Sequence, residues 1–266
     1  SRIAAEVGTP VYVYSSATLT RHFLQFRQAL DWTDHLICFA VKANSNLAVL
    51  KLLGDLGAGM DVVSGGEYAR ARAAGVPGGR IVFSGVGKTR AEMRQVIEGG
   101  IRQVNVESEP ELAALSEVAT TLGATVPIAV RVNPDVDAKT HAKIATGKSE
   151  NKFGIPIVRA REVYAMAARL PGLQVVGIDM HIGSQLTDLD PYRQAYAKMA
   201  ELCHALRGDG HAIMRLDMGG GLGIPYRRDN TAPPLPLEYG QVIRDAVGDL
   251  GCEIEIEPVS YTHLTL

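Results

Sequence analysis

The feature that most constrains the fold is a unit that recurs along the chain: a short apolar segment, a polar turn and an amphipathic helix. Eight apolar segments fit this pattern, at residues 35–42, 59–63, 80–84, 103–106, 127–132, 175–180, 214–218 and 252–257. Strands that alternate with helices indicate a parallel sheet. Eight such units are the number that closes a barrel. We therefore predict an α/β fold, a (β/α)8 TIM-type barrel spanning residues 16–258.

The residues before the barrel carry a different pattern. Residues 11–14 (VYVY) alternate and are rich in β-forming side chains, which predicts a short N-terminal strand outside the barrel, within a separate segment 1–15. Ser15 or Ser16 can then begin a helix that carries apolar residues at helical spacing.

Composition excludes several classes of function. The chain is 46% hydrophobic and 21% charged with a net charge of −2, which argues against nucleic acid as the main partner. We find no apolar run long enough to cross a membrane and no signal peptide at the start, so we expect a cytoplasmic protein. Three scattered cysteines, Cys38, Cys203 and Cys252, suit reduced, buried thiols. We predict no metal site.

The first apolar segment ends on Lys42, at the end of a strand where barrels place their chemistry. An amine at the rim of an apolar barrel can lose its proton by desolvation, attack a carbonyl and form a Schiff base. The alternative is a lysine that extends past the strand into solvent.

Polar residues follow the other strands and should converge on one mouth of the barrel. Asp61 lies in the second strand, Arg131 is near the end of the fifth, His181 and Ser184 follow the sixth, and Glu257 ends the eighth. His181 could be a core histidine, or its flat ring could stack on a planar cofactor. Glu257 could be a rim carboxylate or the partner of a ring nitrogen.

A glycine run, 219–223 (GGGLG), follows the seventh strand. Such a turn lets backbone N–H groups approach a phosphate, and barrels often bind phosphate near strands seven and eight. A tight loop without a ligand is the alternative. The long segment 133–156 carries many charges and is either a functional loop or a solvated one. Together, an amine, a phosphate turn, a stacking ring and an acid suit pyridoxal 5'-phosphate.

At these residues the sequence resembles the alanine-racemase-like (fold-type III) pyridoxal-phosphate enzymes, and within them the branch of the bacterial diaminopimelate decarboxylases. The segments that carry the resemblance are FAVKAN (39–44), DVVSGGE (61–67), FSGVGK (83–88), RVNP (131–134), TGK (146–148), NKFGI (151–155), HIGSQ (181–185), GGGLG (219–223) and EP (257–258). The resemblance implies that Lys42 forms the Schiff base, His181 stacks on the cofactor and Glu257 faces its pyridine nitrogen. It also implies cofactor contacts for Asp61, Arg131, Ser184, Gly220 and Gly221.

The implied reaction is the loss of carbon dioxide from meso-diaminopimelate to give L-lysine, by a homodimer. Three alternatives stay open. The chain could be another decarboxylase of this fold type, acting on ornithine, arginine or a carboxylated polyamine such as carboxynorspermidine. It could bind the cofactor without catalysis, or it could be a phosphate-binding barrel without pyridoxal phosphate.

The last residues depart from the resemblance. Members of the family continue the Glu-Pro pair into Gly-Arg and then into a C-terminal β-domain, whereas Pro258 is followed here by VSYTHLTL (259–266). We expect this tail to be foreign sequence and the β-domain to be missing. A chain shortened in this way should bind the cofactor weakly and turn over poorly or not at all.

Overall fold

The computed structural model describes residues 2–137, 153–224 and 233–259. Its strands are β1 (His35–Ala40), β2 (Gly59–Val62), β3 (Ile81–Phe83), β4 (Gln103–Val106), β5 (Val126–Asn133), β6 (Ile155–Pro156), β7 (Leu173–Asp179), β8 (Arg215–Asp217) and β9 (Glu253–Ile256). Its α-helices are α1 (Arg2–Val7), α2 (Ser16–Ala29), α3 (Leu47–Asp55), α4 (Gly65–Ala73), α5 (Arg90–Glu98), α6 (Glu109–Thr121), α7 (Ala160–Ala167), α8 (Asp190–Gly208) and α9 (Pro236–Val247).

Eight of the strands close into a parallel barrel. Their order is β1, β2, β3, β4, β5, β7, β8 and β9, and β9 pairs with β1 to complete the ring. The two-residue β6 pairs only with the end of β5 and lies outside the ring. The predicted (β/α)8 barrel is therefore confirmed, and its eight strands lie where the apolar segments indicated.

The helix layer differs from eight successive strand-helix units. The helix α2 precedes β1 and packs against both α9 and α3, so it fills the place between the last and first helices of the ring. Gly240 of α9 allows a close approach, because a Cβ atom there would lie 2.4 Å from the carbonyl oxygen of Ala29. Ser15 begins α2 by accepting a hydrogen bond from the N–H of Thr18.

The predicted N-terminal strand is not formed. Residues 11–14 have no regular secondary structure, and all four of their side chains are exposed. Their alternating pattern is a local property, but a strand needs a neighbouring strand for its hydrogen bonds. The described part of the chain supplies no such neighbour for this segment. The assignment of residues 1–15 to a separate unit remains a prediction.

The two faces of the barrel strands carry side chains of opposite chemistry. Strand side chains that face the helices are apolar and fully buried, among them Phe39, Met60 and Phe83. Successive residues of a strand point to opposite faces, and the side chains that face the lumen are mostly small or polar, with Leu36 and Val82 as apolar exceptions. The expectation of an apolar barrel around the lysine is therefore wrong.

Hydrogen bonds connect the polar groups of the lumen. Gln103 donates to Asn105 Oδ1 (2.8 Å) and to Glu255 Oε2 (3.2 Å), and Asn105 donates to Asp217 Oδ2 (2.9 Å). These groups lie on three strands, β4, β8 and β9, so the network joins opposite sides of the barrel. Its acidic members continue toward the carboxyl ends of the strands, where the candidate site lies.

Candidate active site

A cavity of about 270 Å³ lies at the carboxyl ends of the barrel strands. It is lined by Lys42, Asp61, Val63, Ser84, Gly85, Val86, Glu107, Arg131, Phe153, Asp179, His181, Ser184 and Glu257. Six of the eight predicted site residues are in this lining. The other two, Gly220 and Gly221, lie behind the cavity wall and contact it through His181, Glu257 and the loop after β7.

Lys42 lies just beyond β1, in a single turn of 3₁₀ helix (Val41–Ala43). Its side chain is 52% exposed, and its Nζ is 3.7 Å from Oδ2 of the buried Asp61. The carboxylate of Asp61 raises the pKa of Lys42, and this effect outweighs the burial that lowers it. The expectation that desolvation would deprotonate the amine is thus wrong for the cofactor-free chain, because a carboxylate lies next to the ammonium group.

Glu257 follows β9 and is buried among other carboxyl groups. Burial raises the pKa of Glu257 well above its usual range, and the nearby charges of Asp217, Asp61 and Asp179 raise it further. The hydroxyl of Ser84 donates to its Oε1 at 3.3 Å. The raised pKa therefore favours the neutral acid at Glu257, which can give its proton to a basic group placed beside it.

His181 lies two residues beyond β7. Burial lowers the pKa of His181 well below its usual value, and the positive charges of Arg131 and Lys42 add to this effect. The N–H of Gly220 donates to His181 Nδ1 at 3.2 Å. Because Nδ1 accepts a hydrogen bond, the neutral ring carries its proton on Nε2. This arrangement fixes a flat, uncharged ring at the cavity wall.

The glycine turn after β8 is required by close contacts between backbones. Gly221 has a φ of +97°, and a Cβ atom there would lie 2.1 Å from the carbonyl oxygen of Gly183. A Cβ atom at Gly220 would lie 2.1 Å from the carbonyl oxygen of Glu257. The turn therefore packs directly against the segment that contains Ser184 and against the one that ends at Glu257, and no larger residue fits.

Three cavity-lining carboxyl groups have buried oxygen atoms without a hydrogen-bond partner in the described residues. These atoms are both side-chain oxygens of Asp61, Oε2 of Glu107 and Oδ1 of Asp179. Burial raises the pKa of Asp179 well above its usual range, and the nearby Asp217 adds to this effect. Unsatisfied buried polar atoms are costly, so a cluster of them at one cavity indicates a site for a ligand with hydrogen-bond donors.

Arg131 supplies positive charge next to two of these acids, Glu107 and Asp179. Its Nη1 donates to Glu107 Oε1 at 3.0 Å, and its guanidinium lies 5.6 Å from the centre of the Phe153 ring. Burial lowers the pKa of Arg131, but the carboxylates of Asp179, Glu107 and Glu257 more than compensate and raise it. Neither Glu107 nor Asp179 was identified as a site residue from the sequence, although each stands at the end of a strand.

A second lysine, Lys88, holds two mouth loops together. Its Nζ donates to the carbonyl oxygens of Gly85 and Asn105 and to Glu111 Oε1, each at 2.7 Å. Glu111 Oε2 in turn accepts from the N–H of Glu107 at 3.0 Å. Lys88 thus supports the loop that carries Glu107. Its signal in the sequence was its place in the FSGVGK segment, but no role was assigned to it.

Other polar residues near the strand ends have local structural roles. Ser64 begins α4 by accepting from the N–H of Glu67, and Glu67 Oε2 accepts from the N–H of Val63. Asn133 Oδ1 accepts from the N–H of Asp135. Most of the charged segment 133–156 lies outside the described residues, as does most of the tail 259–266, so the predictions made for them stay predictions.

Two kinds of feature are absent from the described residues. They contain no helix that is long and apolar enough to span a bilayer. They contain no cluster of three or more histidine, cysteine, aspartate or glutamate side chains arranged to hold a metal ion.

The curated proteins that this chain matches include two that are named diaminopimelate decarboxylase. The protein from Pseudomonas aeruginosa is 50% identical over 258 residues, which are 97% of this chain and 62% of the relative. The protein from Vibrio cholerae is 52% identical over 243 residues, which are 91% of this chain and 58% of the relative. The chain therefore spans about 60% of the length of these relatives.

Comparison with solved structures gives the same kind of protein. The crystal structure of diaminopimelate decarboxylase from Helicobacter pylori, complexed with L-lysine, matches with a TM-score of 0.95 and 39% identity. The match covers 98% of this chain and 66% of that one. The family described as pyridoxal-dependent decarboxylase, pyridoxal binding domain, matches residues 16–262. This chain belongs to the pyridoxal-dependent decarboxylases, and its barrel corresponds to their pyridoxal binding domain.

Proposed function

We propose that this chain binds pyridoxal 5'-phosphate in the cavity and forms the barrel of an enzyme that decarboxylates meso-2,6-diaminopimelate to L-lysine and carbon dioxide. The observation that carries the proposal is the meeting of Lys42, His181 and Glu257 at one cavity. The substrate is proposed because the relatives at about 50% identity are diaminopimelate decarboxylases.

The residues of the cavity fit this cofactor. The amine of Lys42 can hold its aldehyde carbon, the neutral ring of His181 can lie against its ring, and the acid of Glu257 can pair with its basic nitrogen. The turn at Gly220 and Gly221, next to Ser184, is proposed to hold its phosphate. When bound, the cofactor supplies a protonated ring that takes up the electron pair released when a bond to the substrate α-carbon breaks.

Lys42 has the freedom that a reacting amine needs. Half of its side chain is exposed, and Nζ lies 3.7 Å from the carboxylate of Asp61. The ammonium must lose a proton before the nitrogen can form a covalent bond. Asp61 has both side-chain oxygens buried without a hydrogen bond, so we propose that it accepts this proton.

Glu257 moves a proton in the opposite sense. Burial and neighbouring acids raise its pKa and so favour the neutral carboxyl group, which can protonate a nitrogen placed beside it. The resulting carboxylate would then face a positive charge, which lowers the cost of ionising a buried acid. Burial lowers the pKa of His181 well below its usual value, which favours the neutral ring and suits a role in contacting the cofactor ring.

We further propose that two copies of the protein associate and that it acts in the cytoplasm. Support for association comes from the rim of the cavity, where Val86 and Phe153 are exposed apolar residues. An exposed apolar rim next to a binding site suits cover by another protein surface. Light scattering on the purified protein, with and without pyridoxal phosphate, measures the mass directly. A monomer under both conditions would contradict this part of the proposal.

The test of the cofactor proposal is covalent labelling. The chain is mixed with pyridoxal phosphate, reduced with borohydride and digested, and the labelled peptide is identified by mass spectrometry. We expect the label on Lys42, no label in Lys42→Ala, and normal labelling in Lys51→Ala, whose exposed amine pairs with Asp55 on α3. A folded wild-type chain without label on Lys42 would contradict the proposal.

The substrate is tested separately by incubating the loaded protein with meso-diaminopimelate, ornithine, arginine and lysine. Carbon dioxide and the amino product are then measured. Because the chain spans about 60% of its relatives, labelling is the primary measurement and turnover the secondary one. Turnover of ornithine or arginine in preference to meso-diaminopimelate would overturn the substrate assignment.

A further inference from the structure

Three buried tyrosines lie behind the glycine turn. Tyr192 and Tyr196 are on α8, Tyr239 is on α9, and each is at most 2% exposed. The Tyr192 hydroxyl donates to the carbonyl oxygen of Gly220 at 3.1 Å. The Tyr196 hydroxyl donates to the carbonyl oxygen of Met218 at 3.0 Å and lies 2.8 Å from the hydroxyl of Tyr239.

The direction of the hydrogen bond between the two hydroxyls follows from the number of protons. A tyrosine hydroxyl has a single proton to donate, and Tyr196 uses its proton for the carbonyl of Met218. Tyr239 must therefore donate to the oxygen of Tyr196. Tyr239 and Tyr196 thus form a chain of donors that ends on the carbonyl of Met218, and Tyr192 donates separately to the carbonyl of Gly220.

These bonds set the direction of the peptide groups in the turn. In a trans peptide the C=O and the following N–H point in opposite directions. Tyr192 holds the carbonyl of Gly220 toward α8, so the N–H of Gly221 faces away from α8. The N–H of Gly220 already donates to His181, which lines the cavity.

Packing alone does not explain the hydroxyl groups. Phenylalanine would fill the same apolar layer without the cost of removing a hydroxyl from water. Instead, two of the hydroxyls lie on carbonyls of one short segment, residues 218–220. We propose that Tyr192 and Tyr196 are positioning residues that hold the glycine turn so that the N–H of Gly221 can bind the cofactor phosphate, and that Tyr239 fixes Tyr196. This inference rests on the proposed binding of pyridoxal phosphate.

The experiment compares two ligands that differ only in the phosphate, pyridoxal 5'-phosphate and pyridoxal. Their dissociation constants are measured from the absorbance of the covalent complex with wild type, Tyr192→Phe and Tyr164→Phe. Tyr164 on α7 is the matched control, because it is also fully buried and its hydroxyl donates to a carbonyl elsewhere, that of Gly177 at 2.8 Å. We expect Tyr192→Phe to weaken the binding of pyridoxal phosphate about five- to tenfold, which corresponds to the loss of one hydrogen bond from the turn to the phosphate. The binding of pyridoxal should be almost unchanged.

Tyr164→Phe should affect the two ligands equally. An equal loss for both ligands in Tyr192→Phe, or no loss for either, would overturn the positioning role while leaving the cofactor proposal intact. A wild-type chain that forms no label on Lys42 would overturn both proposals. If Tyr192→Phe does not fold, Tyr239→Phe replaces it. We expect this variant to weaken the binding of pyridoxal phosphate alone, by about two- to threefold, because Tyr239 acts on the turn only through its hydrogen bond to Tyr196.

Discussion

Two lysines at the mouth of this barrel follow buried strands, yet their surroundings differ in every respect. Lys42, after β1, is half exposed, and its Nζ lies 3.7 Å from the carboxylate of Asp61. Lys88, after β3, is fully buried, and its three donor bonds are all 2.7 Å long. The first ammonium group is loosely held, whereas the second has no unused hydrogen-bonding capacity.

The difference separates a reactive group from a structural one. An amine that must lose a proton and form a new covalent bond needs a weakly held counterion and space in which its side chain can move. Lys88 has neither, because its departure would leave Glu111 and two carbonyl oxygens buried and unpaired. Its bonds instead fix the loops that carry Gly85 and Glu107, two residues of the cavity wall.

The largest effect is expected from Lys88→Met. Removal of one partner of a buried ion pair typically costs about 3–5 kcal/mol, because the remaining charge is left without compensation. We expect a loss of this size in the free energy of unfolding, measured by urea denaturation monitored by circular dichroism. A loss below about 1 kcal/mol, the range of an exposed pair, would show that Lys88 does not hold the loops.

The next effect concerns pH and the acidic lumen that borders Lys42. Burial, with the nearby Asp217, raises the pKa of Glu255 from 4.5 to about 7. Between these values the folded chain holds a proton that the unfolded chain has lost, so stability falls as the pH rises from about 4.5 to about 7. The contribution is on the order of 3 kcal/mol at most, at roughly 1.4 kcal/mol for each pKa unit.

Urea midpoints measured across this pH range test the effect. Glu255→Gln should flatten the decline in stability, while Glu201→Gln, at an exposed position on α8, should leave it unchanged. A decline of the same slope in Glu255→Gln would assign the effect to other groups of the lumen.

A smaller effect is expected for the coupling between Lys88 and Glu111. The two side chains touch, so their substitutions should not be additive. We expect a coupling energy of about 1–3 kcal/mol from urea denaturation of Lys88→Met, Glu111→Gln and the double variant. Additive losses would mean that the two carbonyl contacts of Lys88, rather than its ion pair, hold the loops.

The smallest effect is expected from Lys42→Met in the cofactor-free chain. A half-exposed ammonium at 3.7 Å from its carboxylate is screened by water, so the pair contributes about 1 kcal/mol or less. The same urea measurement applies. A loss as large as that of Lys88→Met would make Lys42 a structural residue and remove the contrast between the two lysines.

The sequence by itself determined the scaffold. The eight strands follow from apolar runs that end in polar turns, and the start of α2 follows from its capping residue, Ser15. These signals are local, because each depends on residues only a few positions apart. The placement of polar residues after the strands also indicated where Lys42, His181 and Glu257 would gather, since parallel strands end at one edge of the barrel.

The tertiary structure alone decided the chemistry of those positions. It showed that residues 11–14 form no strand in the described chain and that α2 completes the helix ring. It also showed that Asp61 raises the pKa of Lys42, whereas burial alone would lower it. It also added Glu107 and Asp179 to the cavity, and distinguished Lys88 from Lys42. The physical reason is that charge environment and hydrogen bonding depend on residues far apart in the chain, as in the bond between Ser84 and Glu257, 173 positions apart. Hydrophobic periodicity specifies which face of a strand is buried, but only the closed barrel specifies which charged groups share a site.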